Sequence, residues 1–260
     1  MDVRSRALLF TALACAASLC SACESPTFPA DATEFTPPIS YRLDWRIVEY
    51  CSGLQRDYGA VRWYRTPGSA VNEPGGAAGA YFRDGNRVVL NEGYLEEHEV
   101  VRHEMLHALQ PRIRMHLANF MNDCRGLVSC DPYCVAEAGG SGIQPGMTSP
   151  VVPPESLEVV TTVLPREPGD STLFAVIISA RNPSSSPVWV DLTTVPRLQF
   201  ICRIGMFSCG RLLIYPSDSA AFAPGERRSE ASLTSVLSGT FSVNGFFNSK
   251  AAAPVSVTIP

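Results

Sequence analysis

Residues 93–110 read GYLEEHEVVRHEMLHALQ, a stretch with no proline and no internal glycine that ends immediately before Pro111. Acidic residues cluster near its beginning, where the partial positive charge of a helix N-terminus favours them. The stretch therefore predicts a helix. Its histidines at positions 103 and 107 are separated by about one helical turn, so both rings leave the same face of that helix.

The two histidines flank Glu104 in the pattern His-Glu-x-x-His. Two imidazoles on one helix face can bind one divalent ion, and the glutamate between them can reach a water on that ion. The whole chain has four histidines, so this spacing is not explained by an abundance of the residue. The pattern predicts that His103 and His107 are metal ligands and that Glu104 is a catalytic base.

On these residues the chain resembles the zincin metallopeptidases, which share a His-Glu-x-x-His motif on an active-site helix. The resemblance covers about twenty residues. It implies a Zn²⁺ cofactor on His103 and His107, Glu104 as general base, and hydrolysis of a peptide or protein substrate. It also implies that a strand just before the helix pairs with the extended substrate backbone. The run AGAYFRDGNRVVL supplies two predicted strands, at 79–83 and 87–90, joined by an Asp-Gly-Asn turn.

A catalytic zinc normally has three protein ligands and one open position. The metzincin pattern is absent, because Gln110 and Ile113 occupy the positions of its glycine and third histidine. Two candidates remain for the third ligand. His116 is preferred because imidazole is a common metal ligand and histidine is scarce here, and its surroundings resemble SprT-like zincins. The alternative is Glu137, at the kind of distance where gluzincins supply a carboxylate. His98 is predicted to point away from the metal, into solvent.

The N-terminus predicts export. Arg4 and Arg6 precede a short apolar stretch, and small residues follow it, so residues 1–22 are predicted to be a signal peptide. The sequence around Cys23 resembles a bacterial lipobox, although Cys20 stands where leucine is usual. The resemblance implies lipidation of Cys23 and attachment to a membrane of the cell envelope, with secretion as the alternative.

Export also changes how the nine cysteines are interpreted. An even set remains beyond Cys23, and oxidising compartments favour disulfides. Cys202 and Cys209, separated by a short loop, are predicted to form one. The other four allow three pairings and are left open: Cys51, Cys124, Cys130 and Cys134.

The formal net charge of −4 argues against nucleic acid as a partner, because no long Lys/Arg run is present to neutralise phosphates. Residues 23–40, rich in Ser, Thr, Pro and Ala, are predicted to be a tether, and residues 146–156 a linker.

The predicted fold class is α+β, with a zincin-like metallopeptidase domain at 41–145. Residues 157–260 contain seven β-rich runs at regular intervals and predict an all-β immunoglobulin-like sandwich domain. The predicted function is a zinc metallopeptidase of the cell envelope. The alternative is a catalytically inactive zincin-like surface lipoprotein whose β-sandwich binds a partner.

Overall fold

The computed structural model describes residues 27–70, 77–111, 116, 119–130, 150–164, 173–191, 198–205, 207–208, 213–215, 221–235, 239–248 and 250–259. Within these residues there are two α-helices, α1 (Ser40–Ser52) and α2 (His98–Leu109). A π-helical turn spans Asn119–Asp123. The strands are β1 Thr33–Glu34, β2 Arg62–Thr66, β3 Gly79–Phe82, β4 Arg87–Asn91, β5 Val151–Val152, β6 Glu158–Leu164, β7 Leu173–Arg181, β8 Val188–Val190, β9 Leu198–Ile204, β10 Phe207–Ser208, β11 Leu213–Tyr215, β12 Ala221–Phe222, β13 Arg227–Ser235, β14 Gly239–Phe247, β15 Lys250–Ala251 and β16 Val255–Ile259.

The first four strands form one sheet in the order β1-β2-β4-β3. Strands β2 and β4 are parallel, whereas β1 and β3 pair antiparallel to their neighbours. Strand β3 therefore ends this sheet among the described strands. The turn between β3 and β4 places Gly85 and Asn86 at positive φ, as predicted for the Asp-Gly-Asn sequence.

Alternating side chains give the first sheet two buried faces. Trp63, Val88 and Leu90 face the two helices, and Tyr64 and Val89 face a smaller apolar cluster on the other side. The helices contribute much of the larger core through one apolar stripe each: Tyr41, Trp45 and Val48 from α1, and Val101, Met105, Leu106, Ala108 and Leu109 from α2. Helix α1 stops at Gly53, whose positive φ lets its N–H cap the carbonyl of Glu49.

The strands from β5 onward form three further sheets, ordered β13-β7-β6, β12-β8-β5 and β10-β9-β14-β15, with β11 paired to β9 and β16 to β14. The cluster between them buries Leu157 and side chains from β7, β8, β9, β12 and β14: Phe174, Val176, Ile178, Ala180, Val188, Val190, Cys202, Ile204, Phe222, Val243 and Phe247.

Strand β7 is buried on both faces. Phe174, Val176 and Ile178 point into the β-rich core, while Ala175 and Ile177 point the other way. The second set packs against Ile47 of α1 and against Leu127, and all four of these side chains are fully buried. The β-rich half is thus joined to the helical half by a common apolar layer.

These findings contradict the predicted fold class. The described residues are mostly β, with two helices and four small sheets, rather than an α+β chain with a zincin-like domain followed by an immunoglobulin-like sandwich. The zincin resemblance rested on one helix and did not determine the packing around it. In the second half the β-rich runs do form strands, but the pairing of β5, β8 and β12 separates a third sheet. Strand partners are chosen by contacts distant in sequence, which local patterns do not reveal.

Candidate metal centre

Helix α2 is a firm support for the histidines at 103 and 107. Val101, Met105 and Leu106 are fully buried on its inner side and fix the helix against the first sheet. Both histidine rings are partly buried on a neighbouring face. The spacing of four residues brings their ring centres to 4.9 Å from each other.

His116 lies beside this pair, although it is separated from α2 by Pro111. Its Nε2 atom is 3.1 Å from Nε2 of His103 and 3.2 Å from Nε2 of His107, and the latter two atoms are 3.2 Å apart. Three ligand nitrogens bound tetrahedrally at about 2.0–2.1 Å from one ion lie about 3.3 Å from each other. The cluster of His103, His107 and His116 could therefore hold a metal ion.

The orientation of the His103 ring is fixed by a hydrogen bond to its Nδ1 atom. This atom forms a hydrogen bond with the backbone carbonyl of Ser129, so that nitrogen carries the proton and Nε2 presents a lone pair. This arrangement is the one that metal-binding histidines generally use. The Ser129 N–H in turn donates to the carbonyl of Glu99 at 3.0 Å. No sequence pattern could have indicated Ser129, because the contact is made by its backbone.

The pKa of His107 is lowered to about 2, mainly by burial and in smaller part by the positive charges that His103 and His116 would carry. A metal ligand must be a neutral imidazole, so the lowered pKa of His107 keeps this ring in the form that can bind a metal ion.

Glu104 is 5% exposed and points towards strand β3. Burial raises the pKa of this carboxyl to about 8. No hydrogen bond to the Glu104 side chain is formed by any residue that the structure describes, and its carboxylate is not part of the histidine cluster. A nearby dication would favour the ionised form. Glu104 is thus a buried carboxyl next to His103 in the helix, and it is not one of the candidate metal ligands.

Gly79, the first residue of β3, leaves room for this carboxyl. A Cβ atom at Gly79 would lie 2.7 Å from Cγ and 2.8 Å from Oε1 of Glu104, closer than side-chain atoms approach. The edge strand and the catalytic candidate are therefore in direct contact. No sequence pattern singled out Gly79.

Phe120 packs against all three imidazoles. Its ring centre is 5.0 Å from that of His103, 4.7 Å from that of His107 and 4.9 Å from that of His116. The ring is 1% exposed and belongs to the core shared by the helices and the first sheet. Phe120 thus forms an apolar wall of the cluster.

His98 points away from the cluster, as predicted, but it is not simply solvent-facing. Its Nδ1 is 2.7 Å from Oδ2 of the fully buried Asp44, and about one third of the His98 side chain is exposed. Arg102 is 3.5 Å from the other oxygen of Asp44 and donates from Nε to the carbonyl of Leu127 at 2.5 Å. The hydrogen bond to Asp44 raises the pKa of His98, against the opposing effect of burial. Asp44 could not be predicted from the sequence, because a buried partner in another helix leaves no local pattern.

A disulfide joins Cys51 of α1 to Cys124, which resolves one of the pairings left open by the sequence. Cys130 and Cys202 are disulfide-bonded as well. Cys209, the predicted partner of Cys202, lies outside the described residues, so that pairing stays a prediction. The alternative ligand Glu137 and the predicted lipidation site Cys23 also lie outside them.

Comparison of the chain with protein-family models and with curated proteins found no matching family and no matching relative. Within the described part of the chain, neither helix is long and apolar enough to cross a membrane. The function is therefore argued from the geometry around the three histidines.

Proposed function

We propose that this chain is a zinc-dependent peptide hydrolase with His103, His107 and His116 as metal ligands and Glu104 as general base. The convergence of the three Nε2 atoms to 3.1–3.2 Å is the observation that carries the proposal. All-imidazole ligation suits zinc among the common divalent ions, and three protein ligands leave a position open for water.

The donor set fits a catalytic rather than a structural zinc site. Closed structural sites use four protein ligands and are rich in cysteine. Here the described neighbourhood provides three imidazoles, and the nearby Cys124 and Cys130 are engaged in disulfides. When bound, zinc would acidify a water and polarise a substrate carbonyl.

Glu104 is suited to act as the general base that transfers the proton of the attacking water. Its carboxylate would accept a proton from the attacking water and deliver it to the departing amine, as a general base that becomes a general acid. Its seclusion from bulk water strengthens such transfers. No described residue forms a hydrogen bond with the Glu104 side chain, so its carboxylate is available to hydrogen-bond a water.

Strand β3 provides a surface for an extended substrate. It ends the first sheet among the described strands, and its first residue contacts Glu104. A peptide that added a strand there would be held through its main chain, with its scissile bond near the catalytic carboxyl. This edge is our proposed substrate-binding surface.

The decisive variant is Glu104→Gln, which keeps size and removes the base. We expect it to retain stoichiometric zinc and the wild-type fold while hydrolysis of a casein-derived peptide library falls by at least about a hundredfold. Glu97→Gln is the matched control, because Glu97 is exposed at the start of the same helix. Equal hydrolysis by wild type and Glu104→Gln would sink the proposal. Zinc-loaded wild type that is inert on the library would favour the binding-protein alternative.

Attachment to the cell envelope through a lipid on Cys23 remains part of the proposal. It is motivated by the sequence around that cysteine. Incorporation of labelled palmitate that is lost in Cys23→Ser would support it. Mature protein that begins at Cys23 and carries no lipid would instead indicate secretion.

A further inference from the structure

We infer that Phe120 closes one face of the triangle formed by His103, His107 and His116, and so leaves a bound metal a single open coordination position on the opposite face. The inference rests on the metal site of the proposed function, but not on peptide hydrolysis. It assigns to a buried phenylalanine the task of positioning the fourth ligand.

The rings of Phe120 and the three histidines lie at nearly equal distances from one another. Every pair of ring centres among Phe120 and the three histidines is separated by 4.7 to 5.0 Å. Six nearly equal distances define a tetrahedron with Phe120 at its apex. Its ring centre therefore stands about 4 Å from the plane of the three imidazole centres, which is ordinary packing contact for aromatic rings.

The three imidazoles point their Nε2 atoms towards one another. The ring centres are 4.8–5.0 Å apart, whereas the Nε2 atoms are 3.1–3.2 Å apart. The nitrogens thus converge on the axis through the middle of the triangle, and Phe120 lies on that axis. An ion bound at about 2.0–2.1 Å from all three must sit about 1 Å to one side of their plane.

Phe120 blocks one of the two sides of the plane through the three Nε2 atoms. On the side of Phe120 the ion would lie roughly 3 Å from the ring centre, and a fourth ligand about 2 Å farther along the axis would overlap the ring. On the opposite side no such obstruction comes from Phe120. The ion is therefore confined to the face away from Phe120, with one site for water or a substrate carbonyl.

This confinement matters for the chemistry. An ion open on both faces could bind two waters, which would spread its charge over both and leave each less acidic. A four-coordinate ion concentrates its polarising effect on one ligand. The apolar wall also keeps water off the side of the triangle that Phe120 covers.

The test replaces the metal with Co²⁺, whose visible absorption is strong when it is four-coordinate and weak when it binds additional ligands. Wild type is expected to show the strong four-coordinate spectrum. Phe120→Ala opens the second face and should lose most of that intensity while still binding one Co²⁺. Phe120→Leu, which refills the volume with an apolar group, should retain it.

Phe35→Ala is the matched control. Phe35 packs on the same core, edge-on to Tyr41, but is not among the rings against the histidines. An unchanged spectrum in Phe120→Ala, or an equal loss in Phe35→Ala, would overturn the inference. If Phe120→Ala fails to fold, Phe120→Val makes the same comparison with a smaller cavity. Wild type that binds no Co²⁺ would overturn the metal site itself, independently of any hydrolysis assay.

Discussion

At the scale of single residues, Gly79 shows how a missing side chain can shape a site. The Glu104 carboxyl occupies space that any Cβ at position 79 would need. The atoms in the way belong to the flexible part of the glutamate, so they can move without disrupting the backbone.

We predict that Gly79→Ala displaces the Glu104 carboxyl and lowers kcat/KM by at least about tenfold, while zinc affinity stays close to wild type. Folding should be preserved, because alanine in a strand costs less conformational entropy than glycine. Gly68→Ala is the control, since a Cβ there would meet no atom within 4 Å. Steady-state kinetics and zinc titration test the prediction. Turnover in Gly79→Ala equal to that of Gly68→Ala would contradict it.

The ion pair of His98 with Asp44 predicts a pH dependence of stability. The hydrogen bond to Asp44 raises the pKa of His98 above its ordinary value in the folded state. The charged imidazole therefore stabilises the fold below about pH 6.5, and this contribution is lost as the pH rises through the raised pKa. Arg102 opposes the effect and Glu96 supports it, but both are weaker than Asp44.

We expect the free energy of unfolding of wild type, minus that of His98→Gln, to decrease as the pH rises from about 6 to about 9. Urea denaturation at saturating zinc measures both, because bound metal keeps the other three histidines from titrating. A difference that is constant across this range would show that the pair contributes no pH-dependent stability.

At the scale of elements, residues 124–130 form a clamp between the metal centre and the rest of the molecule. The disulfide to Cys51 holds one end of this segment to α1. Near the other end, the carbonyl of Ser129 orients the His103 ring. Between them, Arg102 of α2 donates to the carbonyl of Leu127. A short irregular segment thus determines that Nε2 of His103 faces the other two histidines.

Replacing both Cys51 and Cys124 with alanine should lower the free energy of unfolding by about 2–4 kcal/mol, because the disulfide closes a long loop. We also expect zinc affinity to fall by about 10-fold to 100-fold, as when the groups that orient a ligand are lost. Competition with a chromogenic chelator, at a temperature where circular dichroism shows both proteins folded, gives the affinity. A destabilised variant with wild-type zinc affinity would show that the clamp is not needed to orient His103.

Much of the candidate site was visible in the sequence because it depends on local periodicity. The helix, the pairing of His103 with His107, and the two strands before them all follow from patterns a few residues long. The structure also brings His116 to the pair. Ser129, Gly79 and Asp44 could not be predicted, because each acts through a contact that a distant part of the fold creates.

Strand β13 has no sequence signal, for a different reason. Its sequence, RRSEASLTS, is polar and lacks the apolar alternation of a half-buried strand. Arg228 is nevertheless buried, where it pairs with Glu226 at 2.8 Å and stacks over the Phe222 ring. Glu226 also binds Arg125 of the clamp at 2.6 Å. Buried charges that satisfy one another leave no hydrophobic signal in the sequence.

At the scale of the whole molecule, the two halves share a core rather than a flexible connection. Ile177 of β7 packs with Ile47 and Leu127 of the helical half. A hydrogen bond at 3.0 Å from the Ser229 N–H to the Arg125 carbonyl joins β13 to the clamp. Loss of either half would expose a buried apolar face of the other.

We predict that the two halves unfold together and that zinc stabilises both. Trp189 reports on the β-rich half, whereas Trp45 and Trp63 report on the helical half. Single-reporter variants made with Trp→Phe should show one common midpoint, raised equally by zinc, with about 2.7 kcal/mol gained at a hundred times the dissociation constant. Fluorescence during urea denaturation measures this. A Trp189 transition that zinc does not shift would contradict the prediction.

The double burial of β7 also constrains the order in which the newly made chain can mature. Leu127 precedes this strand by about fifty residues, yet its side chain is covered only once β7 has been synthesised and has docked. Until then Leu127 of the clamp lacks the apolar side chains of β7 against which it packs. The Ser129 carbonyl that orients the His103 ring is therefore not held in place. If the three histidines bind zinc as proposed, metal loading would therefore be a late event in the life of the polypeptide, and an unfinished chain released early would bind zinc poorly.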